Sequence, residues 1–354
     1  MHPIFESLRT PPPRVTREQA TDFLNREFGV SGALEPVDSE RDLNFRVRRT
    51  GEQDFVLKIA NITEARAVTD FQNEALRHLA RNPMSFAIPS VVAASNGQHL
   101  LGITGVDGTR HNARLLTWLD GQPLQHVTGA DSIAGQTGRC LGELGRALAD
   151  FSHEGSDYPL LWDIRNASHL AELLPYIEDP VLRELCEQRI VRFDAEVKPH
   201  LGQLRTQVVH NDLNPSNMLV DPADVNKLTG VIDFGDMVYT QLVNDVAVAA
   251  AYFCKLEGDP YRDVIDFLSS YAASMPLTDE EIDILPDMIS TRHLTTVMIT
   301  HWRASLYPEN RDYILRNEGR ARNMLSKVAE LPIEETRARF RRACAGSDAG
   351  VENA

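Results

Sequence analysis

The chain has 354 residues, of which 42% are hydrophobic and 25% are charged. This composition is typical of a globular protein, and the length is sufficient for two lobes, each with its own core. Its 36 basic and 51 acidic residues give a net charge of −15. The acidic balance argues against nucleic acid or an anionic membrane as a main partner, and it is compatible with a cationic small substrate.

Cysteine usage and hydropathy indicate the compartment. The four cysteines are scattered without the spacing of a zinc site or a disulfide framework, at Cys140, Cys186, Cys254 and Cys344. The N-terminus lacks a basic region followed by an apolar core, and no apolar run reaches the roughly 18 residues that a membrane span needs. We therefore expect a soluble cytoplasmic protein. The sequence does not indicate an oligomeric state.

The first third of the chain is predicted to be mainly strand. A helix over 16–29 precedes it, with Thr16 as N-cap and Gln19 completing a capping box. Strands are predicted over 44–49, 54–59, 88–94, 99–103 and 110–118, and one helix over 64–80 interrupts them. After Asp120-Gly121 the composition becomes helical. Within that helical part, Asp179-Pro180 predicts a helix start, because proline is favoured at the first helical position.

Lys58 is the first candidate functional residue. It lies inside an apolar strand, where an unpaired ammonium is costly, so it requires a partner. Glu74 on the following helix is the predicted partner. A Lys58–Glu74 pair would hold the ammonium where it can contact the α- and β-phosphates of a nucleotide. Alternatively, Lys58 extends from an edge strand into solvent and Glu74 faces water.

Two motifs follow apolar strands in the second half of the chain. Residues 210–217 read H-x-D-x-x-x-x-N, and residues 233–235 read D-F-G. Both occur in this order in the phosphoryl-transfer template of protein kinases. Asp212 would accept or orient the proton of an attacking hydroxyl, and Asn217 and Asp233 supply the oxygen ligands that Mg²⁺ prefers. The alternative is a turn rich in Asn and Asp between two hairpin strands.

Together, these residues resemble the aminoglycoside phosphotransferase and choline kinase group of small-molecule kinases. Residues 211–214 and 231–237 are especially similar to hydroxylysine kinases, and so are residues 41–47. The resemblance implies an α+β, bilobal protein-kinase-like fold. Its parts would be a mostly β nucleotide-binding lobe over 1–116, a hinge over 117–121, and a larger helical catalytic and substrate-binding lobe over 122–354.

The resemblance also implies a nucleotide, ATP with GTP left open, and Mg²⁺. The side chains expected near the phosphates are Lys58, Glu74, Ser39 and Asn44. The turn 39–44 contains no glycine, whereas protein kinases cover the phosphates with a glycine-rich loop. Backbone groups from Thr117 to Leu119 would bind the adenine edge, although these residues also suit a simple linker between the lobes.

The acceptor side is predicted from fewer signals. The side chains expected to contact substrate are Asp212, Asp236, Trp162, Asp163 and Tyr239. Trp162 would stack on a substrate ammonium with Asp163 as counter-charge, or else it is a core residue. Asp236 contacts substrate or braces its loop. Asp245 is expected to cap a helix or anchor a loop. A late helix that carries His293, His301, Trp302 and Arg303 could close the far wall of the site, although packing and surface roles are expected for these residues.

The resemblance implies an ATP- and Mg²⁺-dependent kinase that phosphorylates a hydroxyl of an amino alcohol or hydroxyamino acid. A hydroxylysine-like acceptor is favoured, with ethanolamine and homoserine as relatives, and an aminoglycoside or other antibiotic is the alternative. A protein kinase is disfavoured because the chain after Asp236 leads directly into an apolar helix. A pseudokinase that only binds ligands is disfavoured because the catalytic Asp and the metal ligands are all present.

Overall fold

The computed structural model describes residues 2–130 and 133–345, which form the two lobes of an α+β kinase-like fold. The smaller lobe contains an antiparallel sheet with strands β1 Ala33–Val37, β2 Leu43–Arg48, β3 Phe55–Ile59, β4 Val91–Val92, β5 Leu101–Thr104 and β6 Arg110–Thr117. The strand order is β1-β2-β3-β6-β4, and β5 also pairs with β6. The predicted strands are present, although β4 is only two residues long, and β1 was not predicted.

The alternation of side chains along β3 places Lys58 on the cleft face of this sheet. Leu57 and Ile59 point to the other face and are fully buried in the core of the smaller lobe. In the strand register, Lys58 lies opposite Asn44 of β2 on one side and Arg114 of β6 on the other. Three polar side chains therefore form one row across the sheet.

Two helices accompany the smaller lobe. Helix α1 Arg17–Phe23 has the predicted capping box, since the Gln19 N–H donates to Thr16 Oγ1 at 3.2 Å and the Thr16 N–H donates to Gln19 Oε1 at 3.0 Å. It continues through a wider turn, Leu24–Phe28, to Gly29, whose φ of +63° ends the helix in a left-handed cap. Helix α2 Arg66–Leu79 packs its apolar stripe into the core of the larger lobe.

The larger lobe is mainly helical and includes α3 Ile133–Ala147, α4 Pro180–Arg192, α5 Leu242–Phe253, α6 Arg262–Ser274, α7 Asp279–Leu306, α8 Arg311–Ile314, α9 Glu318–Ala329 and α10 Ile333–Cys344. Its short strands are β7 Gln122–Pro123, β8 Thr206–Val209, β9 Met218–Asp221, β10 Asp224–Val231 and β11 Val238–Gln241. Strands β8 and β11 form one ribbon, and β7, β9 and β10 form another. The two sequence motifs connect these ribbons, so they lie at the edge of the lobe that faces the sheet. Helix α4 begins at Pro180 as predicted, with Asp179 as its cap.

The N-terminal segment corrects the predicted lobe boundary. Residues Pro3–Leu8 form a 3-10 helix, and Ile4, Phe5 and Leu8 are buried in the core of the larger lobe. The Phe5 ring meets the Trp302 ring edge to face, with their centroids 5.3 Å apart. This segment therefore packs with the larger lobe, although it precedes the smaller lobe in sequence. None of the described helices is both long and apolar enough to cross a membrane. The four cysteines are free thiols.

Candidate active site

The loop of the first motif, residues 210–217, is held by Asp245 of α5. One carboxylate oxygen of Asp245 accepts from the Asn211 N–H at 2.7 Å, and the other accepts from the His210 N–H at 3.2 Å. These bonds hold Asn211 at a φ of +63°, which is uncommon for a residue other than glycine. Burial raises the pKa of Asp245 to about 6. Asp245 is therefore a loop anchor, one of its two predicted roles.

Asp212 lies at the centre of the site. Its Oδ2 accepts from the side-chain amides of Asn214 at 2.9 Å and Asn217 at 2.8 Å, and its Oδ1 accepts from Arg292 at 3.3 Å. Burial and the nearby charge of Asp236 raise the pKa of Asp212 to about 8, against the lowering effect of Arg292. A carboxyl group with this pKa can exchange a proton close to neutral pH, which suits a general base.

Asn217 and Asp233 lie at the open end of the hairpin formed by β9 and β10. The Ile232 N–H donates to the Asn217 carbonyl oxygen at 2.9 Å, which brings the two ligand candidates together. The Asn217 amide nitrogen is used by Asp212, so its amide oxygen remains available. Lys58 donates to Asp233 Oδ1 at 2.7 Å and lowers the pKa of Asp233 to about 2. An amide oxygen and an ionised carboxylate fit a hard cation such as Mg²⁺.

The predicted Lys58–Glu74 pair is wrong. Lys58 pairs with Asp233, whereas Glu74 pairs with Arg77 one turn along α2, and its side chain is 38% exposed. The phase of α2 instead turns Gln72 inward. Its amide nitrogen donates to the Gly235 carbonyl oxygen at 2.9 Å, and its amide oxygen accepts from the buried Arg114.

Sequence reasoning missed Gln72 and Arg114, although each had a signal. Gln72 falls on the buried stripe of α2, four residues from Val68 and from Leu76. Arg114 is a charged residue within an apolar strand, like Lys58, and the same argument about a buried cation applies to it. The nucleotide side of the cleft therefore carries two cations, Lys58 and Arg114.

The other residues predicted to contact the phosphates and the adenine lie on β2, in the turn before it and in the hinge. Asn44 is buried beside Lys58, and Ser39 Oγ accepts from the Asp42 N–H at 3.2 Å within the turn. In the hinge, the Thr117 N–H donates to the Ser90 carbonyl oxygen and the Trp118 N–H donates to the Asp54 carbonyl oxygen, both at 2.9 Å. The Leu119 N–H donates to no protein acceptor within residues 2–130 and 133–345. Of the three residues expected at the adenine edge, Leu119 is therefore the one whose N–H is not used by the described part of the protein.

The glycine-free turn reaches across the cleft to the larger lobe. Glu40 accepts from Trp162 Nε1 at 3.1 Å and from the Arg303 guanidinium, which also donates to the Glu40 carbonyl oxygen at 3.2 Å. Arg41 donates to Asp236 Oδ1 at 3.1 Å. Arg303 thus has more than a packing or surface role, and its contact with Glu40 fits the alternative that its helix closes the far wall of the site. The turn therefore closes one side of the site through ionic contacts.

Two of the predicted substrate contacts are not supported. Asp163 is fully buried, with its carboxylate bound to Arg165, Thr240 and Asn244. It therefore braces helices of the larger lobe. The Tyr239 hydroxyl bonds to Thr206 at 2.7 Å, at the end of β8 opposite the catalytic loop. Asp236 and Trp162 do lie at the site, but the face of the Trp162 ring is covered by the guanidinium of Arg292, 5.0 Å from the ring centre.

The two lobes, with Asp212, Asn217 and Asp233 between them, define a kinase-like phosphotransferase. A family model described as the phosphotransferase enzyme family (APH) matches residues 33–275, and the chain belongs to this family. Its sequence is 27% identical to a hydroxylysine kinase of Mus musculus, over 88% of each protein. It is 25% identical to a homoserine kinase of Chelativorans sp. (strain BNC1), over 77% of this chain and 81% of the relative.

The fold is shared with a solved structure of amicoumacin kinase hAmiN in complex with AMP-PNP, Ca²⁺ and Ami. The two have a TM-score of 0.67 and 15% sequence identity, over 91% of this chain and 97% of that one. Sequence family and fold therefore agree. The chain is a small-molecule kinase, a phosphotransferase with an alcohol group as acceptor.

Proposed function

We propose that this enzyme transfers the γ-phosphoryl group of ATP to the hydroxyl of a small amino alcohol or hydroxyamino acid, with Mg²⁺ as the metal ion. A hydroxylysine-like acceptor is favoured because similarity to hydroxylysine kinase covers most of the chain. The observation that carries the proposal is Asp212, a carboxylate that is oriented by two amide donors and bordered by the Asn217–Asp233 pair. A cytoplasmic location is part of the proposal and is compatible with the four free cysteines.

In the proposed reaction, Asp212 accepts a hydrogen bond from the acceptor hydroxyl and takes its proton while the hydroxyl oxygen attacks the γ-phosphorus of ATP. The new bond joins the acceptor oxygen to the γ-phosphorus, and the bond to the bridging oxygen of ADP breaks. Asn217 and Asp233 would hold Mg²⁺, which neutralises phosphate charge when bound. Lys58 is positioned to bring its ammonium from Asp233 to the phosphates, and Arg114 adds positive charge behind it.

On the acceptor side, Asp236 and Glu40 give the site negative charge. They lie near each other at the mouth of the cleft, because Glu40 and the adjacent Arg41 belong to the same turn and Arg41 binds Asp236. We propose that these two carboxylates attract the acceptor ammonium, since opposite charges near a binding site both orient and steer a ligand. Trp162 acts through Glu40 and Arg292 and does not stack on the ammonium itself.

A coupled assay of ADP release tests the proposal, with ATP or GTP and Mg²⁺ against 5-hydroxylysine, homoserine, ethanolamine and an aminoglycoside. Asp212→Asn keeps the shape of the side chain and removes the base, so we expect kcat to fall by about 10²- to 10⁴-fold while nucleotide binding is kept. Glu74→Gln is the matched control, because it also removes one carboxylate but lies outside the cleft. Turnover of the aminoglycoside alone would overturn the proposed acceptor. Nucleotide binding without turnover of any acceptor would overturn the proposed activity.

A further inference from the structure

Arg292 of helix α7 is a buried cation that the proposed reaction does not use. Its side chain lies against Asp212, and Nη2 donates to Asp212 Oδ1 at 3.3 Å and to the Tyr252 hydroxyl at 3.2 Å. The aromatic rings of Trp162 and Tyr252 lie 5.0 and 5.9 Å from the guanidinium carbon. The guanidinium is therefore held firmly beside the proposed general base.

The other two nitrogens of this guanidinium have no hydrogen-bond partner among the residues that the structure describes. Nε and Nη1 are both buried, and neither makes a hydrogen bond within the described parts of the chain. A guanidinium carries five N–H donors and stays charged, and burying such donors without acceptors is costly. Ion pairing with Asp212 alone would use one nitrogen only. The unused donors therefore indicate a further acceptor beyond the described part of the chain.

Neighbouring carboxylates are already engaged elsewhere. Asp236 accepts from Arg41, and Glu40 accepts from Trp162 and Arg303. Within residues 2–130 and 133–345, these contacts leave Nε and Nη1 of Arg292 buried without an acceptor. A buried arginine with free N–H groups is suited to an anionic ligand such as a carboxylate, because charged donors form strong hydrogen bonds with carboxylate oxygens.

The position of Arg292 distinguishes the acceptor from the nucleotide. Arg292 lies on the larger lobe beside Asp212, and its charge acts on the pKa of Asp212 and of Asp236. The pKa of Asp233, on the phosphate side, is lowered instead by Lys58, His210 and Arg114. Arg292 therefore belongs to the part of the cleft where the acceptor hydroxyl would lie.

We infer that Arg292 determines acceptor specificity by binding a carboxylate of the acceptor, so that the substrate is a hydroxylated amino acid. The inference rests on the proposed function and narrows it. An amino alcohol or an aminoglycoside lacks the carboxylate and would leave the Arg292 donors unpaired. The charges fit a zwitterion: Arg292 would bind the carboxylate, and the ammonium would compete with Arg41 and Arg303 for Asp236 and Glu40.

Acceptor pairs that differ only by the carboxylate test this inference without any mutation. 5-Hydroxylysine is paired with 1,5-diaminopentan-2-ol, and homoserine is paired with 3-aminopropan-1-ol. For the wild-type enzyme, we expect kcat/KM to be at least about 100-fold higher for the amino acid of a pair than for the matching amino alcohol. The amino alcohol lacks the carboxylate and therefore leaves the buried guanidinium without its charged partner. Equal kcat/KM for both members of a pair would overturn the inference while leaving the proposed kinase activity intact.

Variants then assign the discrimination to one residue. In Arg292→Gln, the ratio within a pair should fall to about 10-fold or less, mainly through the KM of the amino acid, while the KM of ATP is kept. Arg292→Lys keeps the charge and should retain an intermediate ratio. The control is Arg189→Gln on α4, since Arg189 also has a buried nitrogen without a partner but lies near Arg192 and Asp287, outside the cleft. It should keep the wild-type ratio.

Other outcomes are also decisive. If Arg292→Gln slows both members of a pair equally, Arg292 serves the phosphates or Asp212 alone, and the inference is overturned. If no member of either pair is turned over, the proposed function fails for these acceptors. Calorimetry of homoserine and 5-hydroxylysine with the nucleotide-bound enzyme then decides the inference separately. The inference is supported if Arg292→Gln weakens binding of the amino acid more than Arg292→Lys does. It is overturned if the wild type does not bind the amino acid, or if neither variant changes the affinity.

Discussion

The charge of Asp236 is predicted to set the pH at which this enzyme becomes active. After burial, that charge is the next largest cause of the raised pKa of Asp212, which is about 8. Asp236→Asn removes the charge and also releases Arg41, whose guanidinium donates to Asp236 at 3.1 Å. Both changes favour ionised Asp212. Since one neighbouring charge shifts a carboxyl pKa by about one unit, we expect the pKa of Asp212 to fall by that amount.

The direction in which the pH profile shifts follows from the role of Asp212 as a base. Asp212 accepts a proton only when it is ionised, so kcat/KM rises with pH and levels off above its pKa. In Asp236→Asn the rising limb should therefore lie about one pH unit lower than in the wild type. The measurement is kcat/KM for the acceptor at saturating ATP, across the range from about pH 5.5 to about pH 9.5. Substrate pKa values are the same for both enzymes, so they cancel in the comparison.

A matched control separates this local effect from a general loss of negative charge. Glu74→Gln also removes one carboxylate, but Glu74 is paired with Arg77 on the outside of α2. The rising limb of the pH profile of Glu74→Gln should coincide with that of the wild type. An unmoved or upward-shifted limb in Asp236→Asn would refute the reasoning, because Asp212 would then not be the group whose ionisation controls the rate.

Three further changes test contacts around the cleft. Gln72→Ala leaves two buried partners unsatisfied and should lower the free energy of unfolding by about 2 kcal/mol. Glu74→Ala should lower it by less than about 0.5 kcal/mol. Equal decreases for the two variants, measured by urea unfolding, would contradict the inward position of Gln72 on α2. Because the pKa of Asp245 is raised to about 6 from 3.8, its ionisation opposes folding increasingly as pH rises through that window. The free energy of unfolding of the wild type, relative to that of Asp245→Asn, should therefore fall by about 1.4 kcal/mol between about pH 5 and about pH 7.5. A difference between the two proteins that does not change with pH would contradict this prediction. In a double-mutant cycle on kcat/KM, Glu40→Gln and Arg303→Gln should show a coupling of about 1 kcal/mol or more, and simple additivity would mean that their contact does not close the cleft.

Much of the fold and of the catalytic centre could be predicted because their signals are local. Each motif follows an apolar strand directly, so the places of Asp212, Asn217 and Asp233 could be predicted from neighbouring residues, although Asp245 of α5 also holds the first loop. The apolar residues around Lys58 likewise indicated that its ammonium needs a partner, and Asp233 provides one. The capping box at Thr16 was also a local pattern, and it formed as predicted.

Predictions about side-chain partners were less successful because tertiary packing decides them. Glu74 and Gln72 are two residues apart on the same helix, and although Gln72 falls on the buried stripe, its partners Gly235 and Arg114 are known only from the packing of α2. Asp163 adjoins Trp162 in the chain, yet it is fully buried under α5 while the Trp162 indole borders the site. Adjacent residues thus have separate roles, which composition and spacing do not distinguish.

The acceptor site shows the same limit most clearly. Arg292 and Arg303 lie on α7, far along the chain from the motifs, and neither belongs to a pattern that indicates chemistry. They reach the site because α7 passes beneath the catalytic loop, where Arg292 contacts Asp212, and beneath the turn, where Arg303 contacts Glu40. Only the assembled lobes bring these residues together.

The turn that lacks glycine can be understood through these same contacts. A glycine-rich loop covers phosphates with flexible backbone, whereas here Glu40 and Arg41 tie the turn to Trp162, Arg303 and Asp236 of the larger lobe. Ser39 and Asn44 of this turn are expected near the phosphates, and in our proposal its Glu40 also supplies a carboxylate to the acceptor. An acceptor ammonium that binds Asp236 and Glu40 competes with Arg41 and Arg303 for those carboxylates. Acceptor binding and the position of the turn over the nucleotide should therefore be thermodynamically linked, since each ligand changes the contacts available to the other.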